Sequence, residues 1–338
     1  MAPPAPSPTP RPPAFLSGAL NDAATPENRL RRHEITLMLL AIVGASALTE
    51  LREDSELREL HGADTFTIKG PGILARDEGF KLAAEGNYAG ALPLLERAAA
   101  SAPVRTAAER IARATTENTL GGALKNLGRF DEAAAVFERA LAAFEGEAHD
   151  AARVEAAVVT NNLGAVRAEL GRADEAEALY EAALRVFADP ELPATGARRA
   201  DALNNLADLR HSQGDLEEAE RLYADALARR EAALGAEHPE TAASVNNLAV
   251  LLLELQRHSE ALPLLRRAAN IARATAGAAH PHYATALGNL ASGLQLLGKA
   301  AEARTRFARA LKINAAALGD DHPSTRSARE ALKALGRS

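Results

Sequence analysis

The feature that most constrains this chain is an internal repeat. Glycines fall at Gly86, Gly128, Gly171 and Gly214, Gln256 takes the fifth place, and Gly298 the sixth, in steps of 42, 43, 43, 42 and 42 residues. Five residues after each stands an alanine: Ala91, Ala133, Ala176, Ala219, Ala261 and Ala303. Four further on is a large apolar residue (Leu95, Phe137, Tyr180, Tyr223, Leu265, Phe307), and three after that comes alanine again (Ala98, Ala140, Ala183, Ala226, Ala268, Ala310). Six copies agreeing at three positions, and five of them at the glycine as well, are not a chance pattern. Such a period is the mark of stacked supersecondary units.

Each unit reads as a helix hairpin. The glycine ends the first helix, because it adopts the left-handed backbone without steric cost. The two alanines of the second helix are two turns apart and share a face, so neighbouring helices can approach closely. The large residue between them fills the space that the alanines leave. One hairpin cannot bury this face alone, so the units must stack. Composition agrees. Hydrophobic residues make up 47% of the chain but aromatics only 4%, with no Trp. A core built from Ala, Leu and Val draws stability from many close helix contacts rather than from a few large anchors.

The pattern of Leu with Gly or Ala, then the turn glycine, then Ala, a large residue and Ala resembles the tetratricopeptide repeat. Three junctions carry a further signature: Leu234-Gly235 with His238-Pro239, Ala276-Gly277 with His280-Pro281, and Leu318-Gly319 with His322-Pro323. With Asn-Asn-Leu at 161–163, 204–206 and 246–248, the longer unit is similar to the kinesin-light-chain type. The resemblance implies an all-α, right-handed superhelical solenoid of about six hairpins over residues 72–322. The His-Pro junction is absent before the second, third and fourth units, with His149-Asp150 a partial match. The segment 323–338 reads as a capping helix: Pro323 sits at its start and Gly336 past its end, with Ala328, Ala331, Leu332 and Leu335 on one face.

Ahead of the array, residues 1–28 are Pro-rich and read as a disordered tail. Arg29, Arg31 and Arg32 precede an apolar run from Ile35 to Leu48, within a candidate helix over 29–60, and 61–71 read as a linker. The apolar run is short for a membrane span, which needs about 20 residues. It fits a helix packed on the first unit or a signal or anchor segment, so a cytoplasmic location and an exported or membrane-anchored one both stay open.

In the resembled family the first helix of each hairpin lines the concave surface. The residue before each unit's Leu then projects into the groove: Asp77, Thr119, Asn162, Asn205, Asn247 and Asn289. An amide offers donors and an acceptor, so a run of asparagines could grip the backbone of an extended peptide. The same amides could instead bond to the next repeat. The preceding residues Asn161, Asn204 and Asn246 are weaker candidates of the same kind. The resemblance places Val250 and Leu253 on the concave side as apolar contacts, and Asp208, His211 and Ser212 as polar ones. The family's carboxylate clamps carry Lys or Arg beside the asparagines. Here Ala168, Glu169, His211, Ser212, Leu253, Glu254, Gln295 and Leu296 stand at the matching positions, which argues against a clamp.

A net charge of −6 carries none of the basic footprint of a nucleic-acid binder. No cysteine is present, which removes disulfides and thiolate chemistry. His238, His280 and His322 recur once per unit, too far apart to share an ion, and read as helix starts. No Gly-Lys-Ser/Thr phosphate loop or Gly-x-Ser-x-Gly elbow occurs. The expectation is a non-enzymatic, cofactor-free protein whose partner is a peptide or another protein.

Overall fold

A computed structural model describes residues 71–336 apart from 103–105, 148 and 193–194. The tail at 1–28, the candidate helix at 29–60 and all of the linker but Pro71 lie outside the described residues. The described residues form thirteen α-helices and no strand. They are α1 (Pro71–Ala84), α2 (Tyr88–Ser101), α3 (Ala107–Asn126), α4 (Phe130–Ala142), α5 (Asp150–Glu169) and α6 (Ala173–Phe187). There follow α7 (Gly196–Ser212), α8 (Leu216–Leu234), α9 (Pro239–Glu254), α10 (His258–Thr275), α11 (Pro281–Leu296), α12 (Ala300–Leu318) and α13 (Pro323–Leu335). Each odd helix from α1 to α11 pairs with the even helix after it as a hairpin, each even helix packs on the next odd one, and α13 lies against α12. An array of six hairpins results, closed by a single helix.

The repeat residues account for this packing. Every alanine and every large residue of the repeat register is buried, none more than 6% exposed. The first helix of the hairpin is small where the second is large. A Cβ added to Gly121 would lie 2.6 Å from the Phe137 ring, and one added to Gly164 would lie 2.8 Å from the Tyr180 ring. The corresponding positions in the other hairpins are Gly79, Ala207, Ala249 and Ala291.

The turn inside each hairpin is set by one left-handed residue. The Gly128 N–H donates to the Lys125 carbonyl at 3.0 Å and the Arg129 N–H to the Leu124 carbonyl at 2.9 Å, which satisfies carbonyls at the end of α3. Gln256 makes the same pair of bonds, to Leu253 at 3.1 Å and from Arg257 to Leu252 at 2.9 Å, at φ 61°. It is the one non-glycine residue with positive φ among the described residues.

Between hairpins, the His-Pro junctions cap the next helix. Nδ1 of His238, His280 and His322 accepts the backbone N–H two residues on, at 3.3, 3.1 and 3.2 Å. Proline occupies the first helical position, where no N–H is needed. Two of these junctions are tied down further: the Thr241 and Thr325 hydroxyls donate to the carbonyls of Gly235 and Gly319, both at 2.8 Å. Where the His-Pro signature is missing, α3 starts instead with a capping box between Thr106 and Glu109.

On α13, Thr325 and Ala328 are buried, and Ala331, Leu332 and Leu335 pack on the last core cluster. The other face carries Arg326, Arg329 and Glu330 toward water.

Candidate functional site

The first helices of successive hairpins lie side by side, and their Asn residues meet across each contact. The Asn162 Nδ2 donates to Asn118 Oδ1 at 2.9 Å, Asn205 to Asn161 at 3.0 Å, and Asn289 to Asn246 at 2.7 Å. The bonds therefore run from the candidate groove residue of one repeat to the residue one position earlier in the repeat before it. Three of the four groove asparagines spend an amide N–H on stacking. Asn161 is 6% exposed and Asn204 7%, so both are interior groups rather than surface ones.

The ladder has one break. Between α7 and α9 the corresponding bond would run from Asn247 to Asn204. Instead the Asn204 Nδ2 donates to the Ser244 hydroxyl at 3.1 Å, and Asn204 Oδ1 is buried without a partner. Ser244 is fully buried in α9. The same register holds Val159, Ala202 and Ala286 in the third, fourth and sixth hairpins, which have no side-chain acceptor to offer. The amide of Asn247 makes no side-chain hydrogen bond among the described residues. Helices α7 and α9 also approach each other less closely than the other consecutive first helices do.

A recess of about 450 Å³ extends along the first helices to this break. Asn161, Asn162, Asn204, Asn205, Asn247 and Asp208 all line it, so the fold brings together six of the residues expected in the groove or beside it. Asn246, Asn289, His211, Val250 and Leu253 do not line it. His211 pairs with Glu254 across α7 and α9, Nε2 to Oε2 at 2.5 Å. Val250 is 38% exposed, whereas Leu253 is half-buried on the core of the last hairpins, beside Gly293.

The recess also holds charged residues that the motif reading passed over. Asp201 stands three and four residues before Asn204 and Asn205 on α7, and Asp208 follows at the next turn, so all four share one face. The buried Arg230 of α8, 5% exposed, bonds to Asp201 and to the Glu240 carbonyl, the latter at 3.2 Å. Arg198 is paired with Glu155 at 2.8 Å. The Tyr223 hydroxyl donates to one oxygen of Asp208. Though water reaches both aspartates from the open side, the walls of the recess desolvate them. Burial lifts the Asp208 carboxyl above its ordinary range, against the opposing Tyr223 bond. Burial also lifts Asp201, against the neighbouring Arg230.

Lys125 corrects one expectation. It occupies the second repeat's copy of the register held by Ala168, His211, Leu253 and Gln295, and it faces the recess without an ion pair among the described residues. A cation is therefore present in the groove at that end. Comparing the register in the third to sixth repeats alone hid it; extending it one repeat back would have found it.

Among the described residues no three His, Cys, Asp or Glu side chains gather where they could hold a metal, and no helix is long and apolar enough to cross a membrane.

Comparison with known proteins agrees with this architecture. Profiles described as tetratricopeptide repeat match residues 198–274 and 282–335, and 118–193 and 161–231. None of the curated proteins matches at a significant level. The solved structure of BtubC (BKLC) from P. vanneervenii is similar at a TM-score of 0.54 and 23% identity, over 72% of this chain and 94% of that one. PilW, a widely conserved type IV pilus biogenesis factor, is similar at a TM-score of 0.51 and 18% identity, over 77% and 99%. A Podosopora anserina putative kinesin light chain with nearly identical TPR-like repeats has 23% identity over 60% and 95%, at a TM-score of 0.49. At these identities the likeness concerns the fold alone.

Proposed function

Since the chain belongs to the tetratricopeptide repeat family, whose arrays generally mediate protein–protein interaction and are typically non-catalytic, we propose that it is a non-enzymatic scaffold that holds an extended segment of a protein partner in the recess along α3, α5, α7 and α9. The observation that carries this reading is the unspent hydrogen-bonding capacity at the ladder break. Asn247 keeps its whole amide free and Asn204 keeps an unpartnered carbonyl, side by side on the recess wall. An unmade bond at a buried polar group costs about 1–3 kcal/mol. A peptide N–H bonded to the Asn204 carbonyl recovers that cost, and the open Asn247 amide adds a second contact. Elsewhere along the ladder the amides already serve the fold, so the partner's main contacts concentrate at the break.

The test is photo-crosslinking combined with affinity. A photoreactive side chain at position 247 should trap a partner that the same group at Arg185, an exposed site on α6, does not. The purified partner should then bind Asn247→Ala about tenfold more weakly, with helicity and melting unchanged. Equal binding by that variant would remove the recess as the site. Asn205 is unsuitable for this purpose, because its loss also unpairs Asn161.

An exported or membrane-tethered assembly role, anchored through residues 29–48, is the second reading. Its support is the basic flank and apolar run of that segment, together with the pilus biogenesis factor among the structures of like fold. Cell fractionation that finds the full-length chain only in the cytosol would reject it.

A further inference from the structure

The open groups at the ladder break are unbalanced, and the imbalance specifies what the partner must bring. Three residues that line the fourth-repeat end of the recess carry acceptors with capacity left: Asn204 Oδ1, buried and without a partner, the Asp208 oxygen that Tyr223 does not take, and the Asn205 carbonyl beyond its bond through Nδ2. The donors at that end are largely spent. Arg230 is committed to Asp201 and to a backbone carbonyl, Arg198 to Glu155, and His211 to Glu254. Left to donate there are the Asn247 amide and the buried, unpartnered Nε of Arg230. Lys125, the free cation of the recess, stands two hairpins away on α3.

Resting on the groove reading above, the geometry points to a subsite for a basic side chain of the partner, an arginine above all, seated between Asn204, Asp208 and Asn247. A guanidinium presents five N–H donors in a planar fork and no acceptor. It can donate to the free oxygen of Asp208 and, once the Asn204 side chain turns its buried carbonyl toward the recess, to that carbonyl as well. Hydrogen bonds between charged groups are the stronger class, and a half-desolvated carboxylate without a full counter-charge gains most from one. The burial-raised Asp208 carboxyl agrees with a site that lacks its cation. A glutamate or aspartate of the partner would meet acceptors on three sides and be repelled.

Three capped glycine–serine heptapeptides test this, with arginine, norleucine or glutamate at the centre. Each is titrated into the full chain while the side-chain amide resonances of Asn204 and Asn247 are followed by NMR. The arginine peptide should shift both signals saturably and bind at least tenfold more tightly than the other two. Asp208→Asn should abolish that preference. This variant keeps an oxygen for Tyr223, so its melting temperature should not fall. Asp174→Asn, at the solvated start of α6, should change nothing.

If the norleucine or glutamate peptide shifts Asn204 and Asn247 as strongly as the arginine one, the basic subsite is overturned while groove binding stands. If none of the three moves any recess resonance at millimolar concentration, both are overturned. If the arginine preference survives Asp208→Asn, the subsite is misplaced and the inference fails.

Discussion

The contact of α5 with α7 and that of α7 with α9 start from the same Asn-Asn-Leu motif and end differently. In the first, Asn205 reaches back to Asn161 and the ladder closes. In the second, one buried hydroxyl on Ser244 draws the Asn204 amide away, the rung from Asn247 is not made, and the helices stand further apart. The difference teaches that this asparagine pair is first a stacking device. It leaves an amide open only where a third residue engages one of the pair. Both departures from the repeat fall on α9, which carries Ser244 within it and is ended by Gln256 in place of glycine.

The sharpest way to break the comparison is to remove one rung on each side. Asn205→Ala strands the buried Asn161 carbonyl and should lower unfolding stability by about 1–3 kcal/mol in chemical denaturation. Asn247→Ala strands nothing and should stay within about 0.5 kcal/mol of the parent, as ordinary surface substitutions do. Equal losses would mean that the two contacts do not differ.

The end of α9 gives the next effect. Gln256→Gly should stabilise the chain by up to about 1 kcal/mol, because glycine takes the left-handed conformation without a Cβ penalty. Gly171→Gln, at the closed contact, should cost a similar amount.

Ser244→Ala is a smaller change in stability with a larger one in binding. It frees the Asn204 side chain to turn its carbonyl to the Asn247 amide, the geometry of the other three rungs. Melting should shift little, while affinity for the partner falls. A variant that binds normally would show that the break is not the site.

The smallest expected effect is on pH dependence. Burial raises the Asp208 carboxyl in the folded chain, so the ionised form is disfavoured there relative to the unfolded chain. Its stabilising contribution is present when the group is protonated and is lost as pH rises from the unfolded value, about 3.9, through the higher folded one. Asp208→Asn should therefore raise the melting temperature slightly at neutral pH, with the gain vanishing below about pH 4.

Much of the fold was legible in the sequence because its determinants are local and recur. A glycine at a fixed distance from two alanines states where a helix ends and which face is packed, and Gln256 could be placed in the series by position alone. Histidine before proline stated where the next helix begins. The candidate groove residues were found by the same register. Their state of bonding was not, because it depends on a partner about 43 residues away across a helix contact. Lys125, Arg198, Asp201 and Arg230 escaped for a related reason. Each is an unremarkable charged residue on its own helix, and becomes part of a recess only when several helices bring their side chains to one place.

The sequence by itself determined the repeat, the helix ends and the buried faces, since these follow from backbone sterics and from side-chain size at fixed spacing. Only the tertiary structure decided which amides serve the stack and which remain open. The bond from the Asn204 Nδ2 to Ser244 fixes how that side chain is turned, and so whether its carbonyl meets Asn247, and this choice exists only once α7 and α9 lie side by side.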